Sequence, residues 1–259
     1  MNNFDVLLYQ QAKEAEKLCE NCTSVEGCRQ TTPGFVQFVD STGTLSVKRC
    51  HLAATAVAAS RVKHGFAISN IPRKFLRVTL NDIEIDDFNS KGVWAVNQIK
   101  NAKHNCGILF YGPVGTGKTL LASVIANELI KQGTDVLFTS VPSLFQEFRN
   151  SLSSGNFEAI SKEVNSCSCL ILDDLGAEKM TEWVGEQLFS IIDYRYANKL
   201  LTVITSNYNC DALKKRLCLT DRAGNITDDI TAIRIMSRLQ SMCSFVEVGG
   251  ADRRNEYRH

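Results

Sequence analysis

The chain has 259 residues and a formal net charge of +1, from 29 Lys and Arg against 28 Asp and Glu. This balance excludes a bulk basic field as the means of holding nucleic acid, so any DNA contact must come from a local patch. With 44% hydrophobic and 22% charged residues, no apolar run of about 18 residues, and no basic-then-apolar start, the sequence excludes a membrane span and a secretory signal. A cytoplasmic chain with one α/β core and a small extra module is expected.

Residues 1 to about 18 read as a polar, partly amphipathic helix. The next stretch holds four of the ten cysteines, Cys19, Cys22, Cys28 and Cys50, with Pro33, Gly34 and Gly43 between them. There Phe35, Val36, Phe38 and Val39 predict a small hairpin. Residues 52–60 are Ala-rich and helix-compatible. Ile71-Pro72 marks a break, because the residue before proline avoids the helical region. The expected organisation is a cysteine-rich module over 1–65, a linker over 66–90 and a second domain over 91–259.

In that second domain short apolar runs alternate with helical patterns. Gly107-Ile108-Leu109-Phe110-Tyr111, residues 135–140, Cys169-Leu170-Ile171-Leu172, residues 201–205 and residues 244–248 read as five strands. Leu120, Leu121, Val124, Ile125, Leu129 and Ile130 repeat at helical spacing, with Gly133 placed to end the helix. The longest helix is expected at about 181–198. Such alternation predicts a three-layer α/β fold around a parallel five-stranded sheet.

Gly112-Pro113-Val114-Gly115-Thr116-Gly117-Lys118-Thr119 fits G-x-x-x-x-G-K-[ST], follows a strand and opens a helix at Leu120. Glycines let the backbone wrap phosphates, and the helix N-terminus favours the anion. Lys118 is expected on the β- and γ-phosphates of ATP, and the Thr119 hydroxyl on Mg²⁺. An apolar strand ending in Asp173-Asp174 places two carboxylates beside the loop. Asp173 is expected to hold Mg²⁺ and Asp174 to orient the attacking water. Thr205-Ser206-Asn207 ends the fourth strand, where a polar side chain can reach the γ-phosphate, although Ser-Asn also favours a plain turn. Arg234, Arg238, Arg253 and Arg254 suit transition-state charge, or equally a solvated basic face. Cys19-x2-Cys22-x5-Cys28 with Cys50 suits structural Zn²⁺, and equally four buried thiols.

Leu172-Asp173-Asp174-Leu175-Gly176-Ala177-Glu178, Trp183, Tyr194-Arg195, Thr205-Ser206-Asn207, the helix from Ala232 through Arg234 and Arg238 to Leu239, and the ending from Gly249 to Arg254 resemble the DnaI-type replicative helicase loaders. These belong with the DnaC, DnaI and IstB-like AAA+ ATPases. The resemblance covers roughly residues 70–254 and extends to the cysteine module. It implies that Asn207 is sensor 1, that Arg238 is an arginine finger offered to the next subunit, and that Arg254 is a sensor-2-like arginine. It further implies slow ATP hydrolysis, a replicative DNA helicase hexamer and single-stranded DNA as partners, and self-association through the AAA+ domain. Asp174 is shorter by a methylene than the Glu of many AAA+ proteins, which suits a switch more than a motor. The alternative readings are an IstB-like transposition helper, a small-molecule kinase and a non-hydrolysing adaptor.

Overall fold

The computed structural model describes residues 12, 14, 17, 19, 22, 28, 32–40, 42, 44–101 and 106–255. The chain divides into two compact units, Met1–His64 and Gly65–His259.

In the smaller unit, β1 (Phe35–Val39) and β2 (Leu45–Arg49) pair antiparallel, with Phe35 opposite Arg49 and Phe38 opposite Ser46. Asp40 forms the turn: its Oδ1 accepts the N–H groups of Thr42 at 2.9 Å and Thr44 at 3.0 Å, as Asp does at turns. Val36, Cys19 and Cys50 form a small buried cluster, with Leu52 and Ala53 partly covered against it. Helix α1 (His51–Ile68) follows. The Sγ of Cys50 accepts the N–H of Ala53 at 3.3 Å, so a thiol caps this helix start. The helix outruns the expected 52–60 because only Gly65 opposes it before the break at Ile71-Pro72. The amphipathic helix expected over 1–18 lies almost wholly outside the described residues. Ala12, Glu14 and Lys17 are helical, with Ala12 buried and Glu14 exposed.

The larger unit is an α/β sandwich. Its elements are α2 (Ser90–Asn101), β3 (Gly107–Tyr111), α3 (Lys118–Lys131), β4 (Val136–Ser140), α4 (Val141–Ser154), α5 (Phe157–Ser166) and β5 (Cys169–Asp173). They continue with α6 (Glu182–Ala197), β6 (Leu201–Ser206), α7 (Cys210–Leu217), a hairpin of β7 (Leu219–Thr220) and β8 (Ile226–Asp228), α8 (Ile230–Met242) and β9 (Cys243–Glu247). The sheet order is β4-β5-β6-β3-β9, and every neighbouring pair is parallel. Strand residues are apolar on both faces, as a doubly covered sheet requires. Leu109, Leu170, Leu172 and Ile204 join Leu144, Phe145, Leu188, Ile192 and Leu239 in one core cluster. The alternate residues Ile108, Phe110, Ile171 and Val203 are equally buried, on the side where Gly92 of α2 lies against Leu121 of α3 and Phe110.

The stretch 66–90, expected as a linker, is packed onto this unit. Asn127 of α3 is fully buried, and its Nδ2 donates to Phe75 O at 2.9 Å and Val78 O at 2.8 Å. The Asn89 side chain donates to Glu84 O at 2.8 Å and accepts from Asp86 N at 3.0 Å. Side-chain amides thus supply partners that an irregular backbone lacks. Among the described residues no helix is long and apolar enough to cross a membrane.

Candidate functional site

The site lies at the C-terminal edge of the sheet, where β3, β5 and β6 end. Gly112, at φ +142°, lets the chain leave β3: a Cβ there would run into the carbonyl of Val248. Only glycine takes that conformation and that close approach together. Lys118 opens α3 and is nearly buried. Its Nζ donates to Gly112 O at 2.9 Å and Pro113 O at 2.6 Å. Burial pushes this ammonium below the ordinary lysine range, while Asp174 and Asp173 pull it back and Arg254 adds to the lowering. The Thr116 hydroxyl closes the loop on Pro113 O at 3.0 Å. Val114 is exposed at the loop tip and Leu120 is buried in the helix core.

Asp173 ends β5 and is buried. Its Oδ1 accepts the hydroxyl of Thr119 at 2.9 Å and that of Thr205 at 2.6 Å. Burial raises this carboxyl above its ordinary value; the Thr205 bond opposes that and the neighbouring Asp174 charge adds to it. Thr119 Oγ1 and the Asp173 carboxylate are hard oxygen donors side by side at a helix N-terminus, which fits Mg²⁺ bound with phosphate. Lys118 and the loop backbone fit the phosphates of ATP.

Asp174 follows in a left-handed conformation, φ +59°. Its N–H donates to Thr205 Oγ1 at 3.0 Å, and its Oδ1 accepts the Asn207 side-chain amide at 3.4 Å. The fold therefore brings Lys118, Thr119, Asp173, Asp174 and Asn207 together. Arg254 stands close by. In the short turn Arg253–Asn255, the N–H of Arg253 donates to Gly115 O at 3.0 Å, and the Arg254 side chain is 66% exposed. Arg253 is instead structural: its guanidinium pairs with Asp86 and reaches Glu84 O at 3.4 Å.

Arg238 is not in this cluster. Its Nε bonds Asp193 Oδ1 of α6 at 2.7 Å, and its guanidinium lies over Phe189, 5.3 Å from the ring centroid. Its side chain is 30% exposed. The cysteine set is only partly assembled. Cys19 and Cys50 share a buried cluster, but among the described residues no group of three or more His, Cys, Asp or Glu stands close enough to hold a metal ion. The described side chains therefore do not supply the tetrahedral ligand set that structural zinc requires.

Two residues have a part in the site that their motifs alone do not assign. For Thr205 the available signal is a polar residue in a strand buried on both faces. Glu178 is buried at 7% exposure, its Oε2 accepts Gly176 N at 3.0 Å, and its Oε1 has no hydrogen-bond partner. Nothing in its sequence neighbourhood marks that burial.

The replicative helicase loader DnaI of Bacillus subtilis (strain 168) is 25% identical over 254 residues, spanning 93% of this chain and 80% of its own. An ATP-binding protein of insertion sequence IS1162 from Pseudomonas fluorescens is 32% identical over 104 residues, 40% of this chain and 44% of its own. A crystal structure of DnaI superposes with a TM-score of 0.61 at 29% identity, covering 71% of this chain and 95% of that one. The family description "IstB-like ATP binding protein" matches residues 46–259. The chain thus belongs to the IstB-like ATP binding proteins, within the AAA+ class that includes the DnaI and DnaC proteins.

Proposed function

We propose that this protein is an ATP-dependent loader of a replicative DNA helicase, which binds and slowly hydrolyses ATP to control its hold on helicase and single-stranded DNA. One observation carries the reading. The similarity to a helicase loader spans 93% of this chain, and a match of that extent must include most of the unit Met1–His64, not the nucleotide-binding unit alone. In this reading the smaller unit grips the helicase, and the larger unit binds nucleotide and self-associates. Lys118 and the loop 112–117 hold the phosphates, and Thr119 and Asp173 hold Mg²⁺, which neutralises phosphate charge when bound. Asp174 and Asn207 orient the attacking water. Arg254 adds positive charge from its own subunit, and Arg238 supplies it to a neighbour. The residue types of Cys19, Cys22, Cys28 and Cys50 retain zinc as a proposal for the smaller unit, decided by metal analysis of the purified chain.

The test is capture of the host's replicative helicase by the full chain and by a chain lacking residues 1–64, each with ATP and with ADP. Nucleotide-sensitive capture that needs residues 1–64 is expected. No capture in any state, alongside intact ATP turnover, would overturn the loader reading. It would leave the second one, a transposition helper ATPase, which is favoured by a family match that starts only at residue 46.

A further inference from the structure

β6 lies between β3 and β5 in the sheet. A side chain at the end of β6 therefore stands between the phosphate loop and the acids. Thr205 occupies that place and is fully buried. Its hydroxyl donates its single proton to Asp173 Oδ1 at 2.6 Å and accepts the Asp174 N–H at 3.0 Å. Its carbonyl accepts the Leu175 N–H at 2.8 Å. One residue thus touches three consecutive positions of the segment that carries both acids.

The direction of this network is fixed by chemistry. The Asp174 N–H can only donate, so the hydroxyl oxygen must accept there and send its own proton to Asp173. The same Oδ1 also receives the Thr119 hydroxyl at 2.9 Å. Two donors on one oxygen select a single carboxylate rotamer and leave the lone pairs of the other oxygen uncommitted. A threonine is stiff at χ1, so the donor itself has little freedom to wander.

We propose that Thr205 is a positioning residue for cation binding at the nucleotide site: it holds the Asp173 carboxylate and the Asp174 backbone in the arrangement that receives a divalent cation with the phosphates. This rests on the ATP-site reading above, and not on the helicase. Thr205 acts through Asp173 and Asp174, which its hydroxyl joins.

The experiment is an equilibrium titration of a fluorescent ADP analogue, first in EDTA and then across a Mg²⁺ series. It uses the full wild-type chain and Thr205→Val, Thr205→Ala and Thr205→Ser, with thermal unfolding of each. The wild type is expected to bind more tightly with Mg²⁺. Thr205→Val and Thr205→Ala are expected to keep the EDTA affinity while losing about tenfold of the Mg²⁺-dependent gain, a factor equivalent to about 1.4 kcal/mol. Thr205→Ser keeps the hydroxyl and is expected to recover most of that gain. Alanine stands in if the valine variant does not fold. Equal Mg²⁺ response in the wild type and in Thr205→Val or Thr205→Ala would overturn the proposal alone. Loss of affinity in EDTA in step with a lowered Tm would overturn it too, by showing a structural role. A wild type whose nucleotide affinity ignores Mg²⁺ would overturn the proposal together with the Asp173 assignment.

Discussion

Asp174 shows how one backbone angle can select a side chain. At φ +59° most residues clash with their own backbone, and Asp and Asn are the tolerated exceptions besides Gly. A Glu here would add strain of about 1 kcal/mol or more, so the shorter acid follows from the turn as well as from the chemistry. Two residues on, the Gly176 N–H is held by buried Glu178. Burial raises the Glu178 carboxyl above its ordinary 4.5, with the Gly176 N–H and Arg216 opposing and the Asp174 charge adding to the rise. A raised folded pKa means stability that is complete below about pH 4.5 and lost as pH rises through the higher folded value. Glu178→Gln lacks this titration. The Tm of the wild type relative to Glu178→Gln is therefore expected to fall as pH rises above about 4.5 and to level off beyond the raised folded value. A difference independent of pH, measured by thermal melts across that range, would exclude an elevated Glu178.

Helix α6 carries a buried and well-satisfied charge. Arg195 has no exposed surface. Its guanidinium donates to Val164, Asn165 and Cys167 carbonyls at 3.1 Å each, to Leu201 O at 2.6 Å and to the Thr202 hydroxyl at 2.9 Å. Two of those carbonyls belong to the last turn of α5 and the third to Cys167, which caps it, where helical carbonyls run out of N–H partners. One cation therefore closes a helix and ties it to β6. Arg195→Met fills the volume but leaves these carbonyls buried and unpaired, and a loss of about 3 kcal/mol or more is expected in urea unfolding. A loss under about 1 kcal/mol would mean that water replaces the guanidinium. Tyr194-Arg195 stood out in the sequence only through resemblance, because an arginine in a helix reads as surface. The stretch 66–90 misled for a related reason. Its polar composition looks like a linker, and its order comes from Asn127 and Asn89 side chains that no local pattern announces.

Across the whole molecule, the five strands were legible because each is a short apolar run between turn formers, and all five fall within a residue or two of the expected places. Strand order was not legible, since the insertion of β6 between β3 and β5 depends on pairings across about 100 residues. For the same reason the motif acids could be named, and Thr205 could not be assigned. Arg238 belongs to this scale too, because its ion-pair partner is Asp193 of α6 and not a residue of the phosphate loop. If it serves a neighbour, Arg238→Ala should bind ATP normally and lose about 10³-fold in turnover. An equimolar mixture with Lys118→Ala should then turn over faster than either protein alone, because each supplies what the other lacks. A mixture no faster than its separate components would remove the shared-site assignment.

The phosphate loop has one further tether with a consequence for synthesis. Its strand, β3, is flanked on one side by β9, and the loop itself is held by Val248 against Gly112 and by the Arg253 N–H on Gly115. These supports are encoded about 130 residues after the loop. A nascent chain emerging from the ribosome therefore carries its phosphate loop long before Val248 and Arg253 exist to brace it. Nucleotide binding is therefore expected only once β9 has joined β3 at the edge of the sheet. A ribosome-bound chain stalled before β9 should be unable to retain ATP.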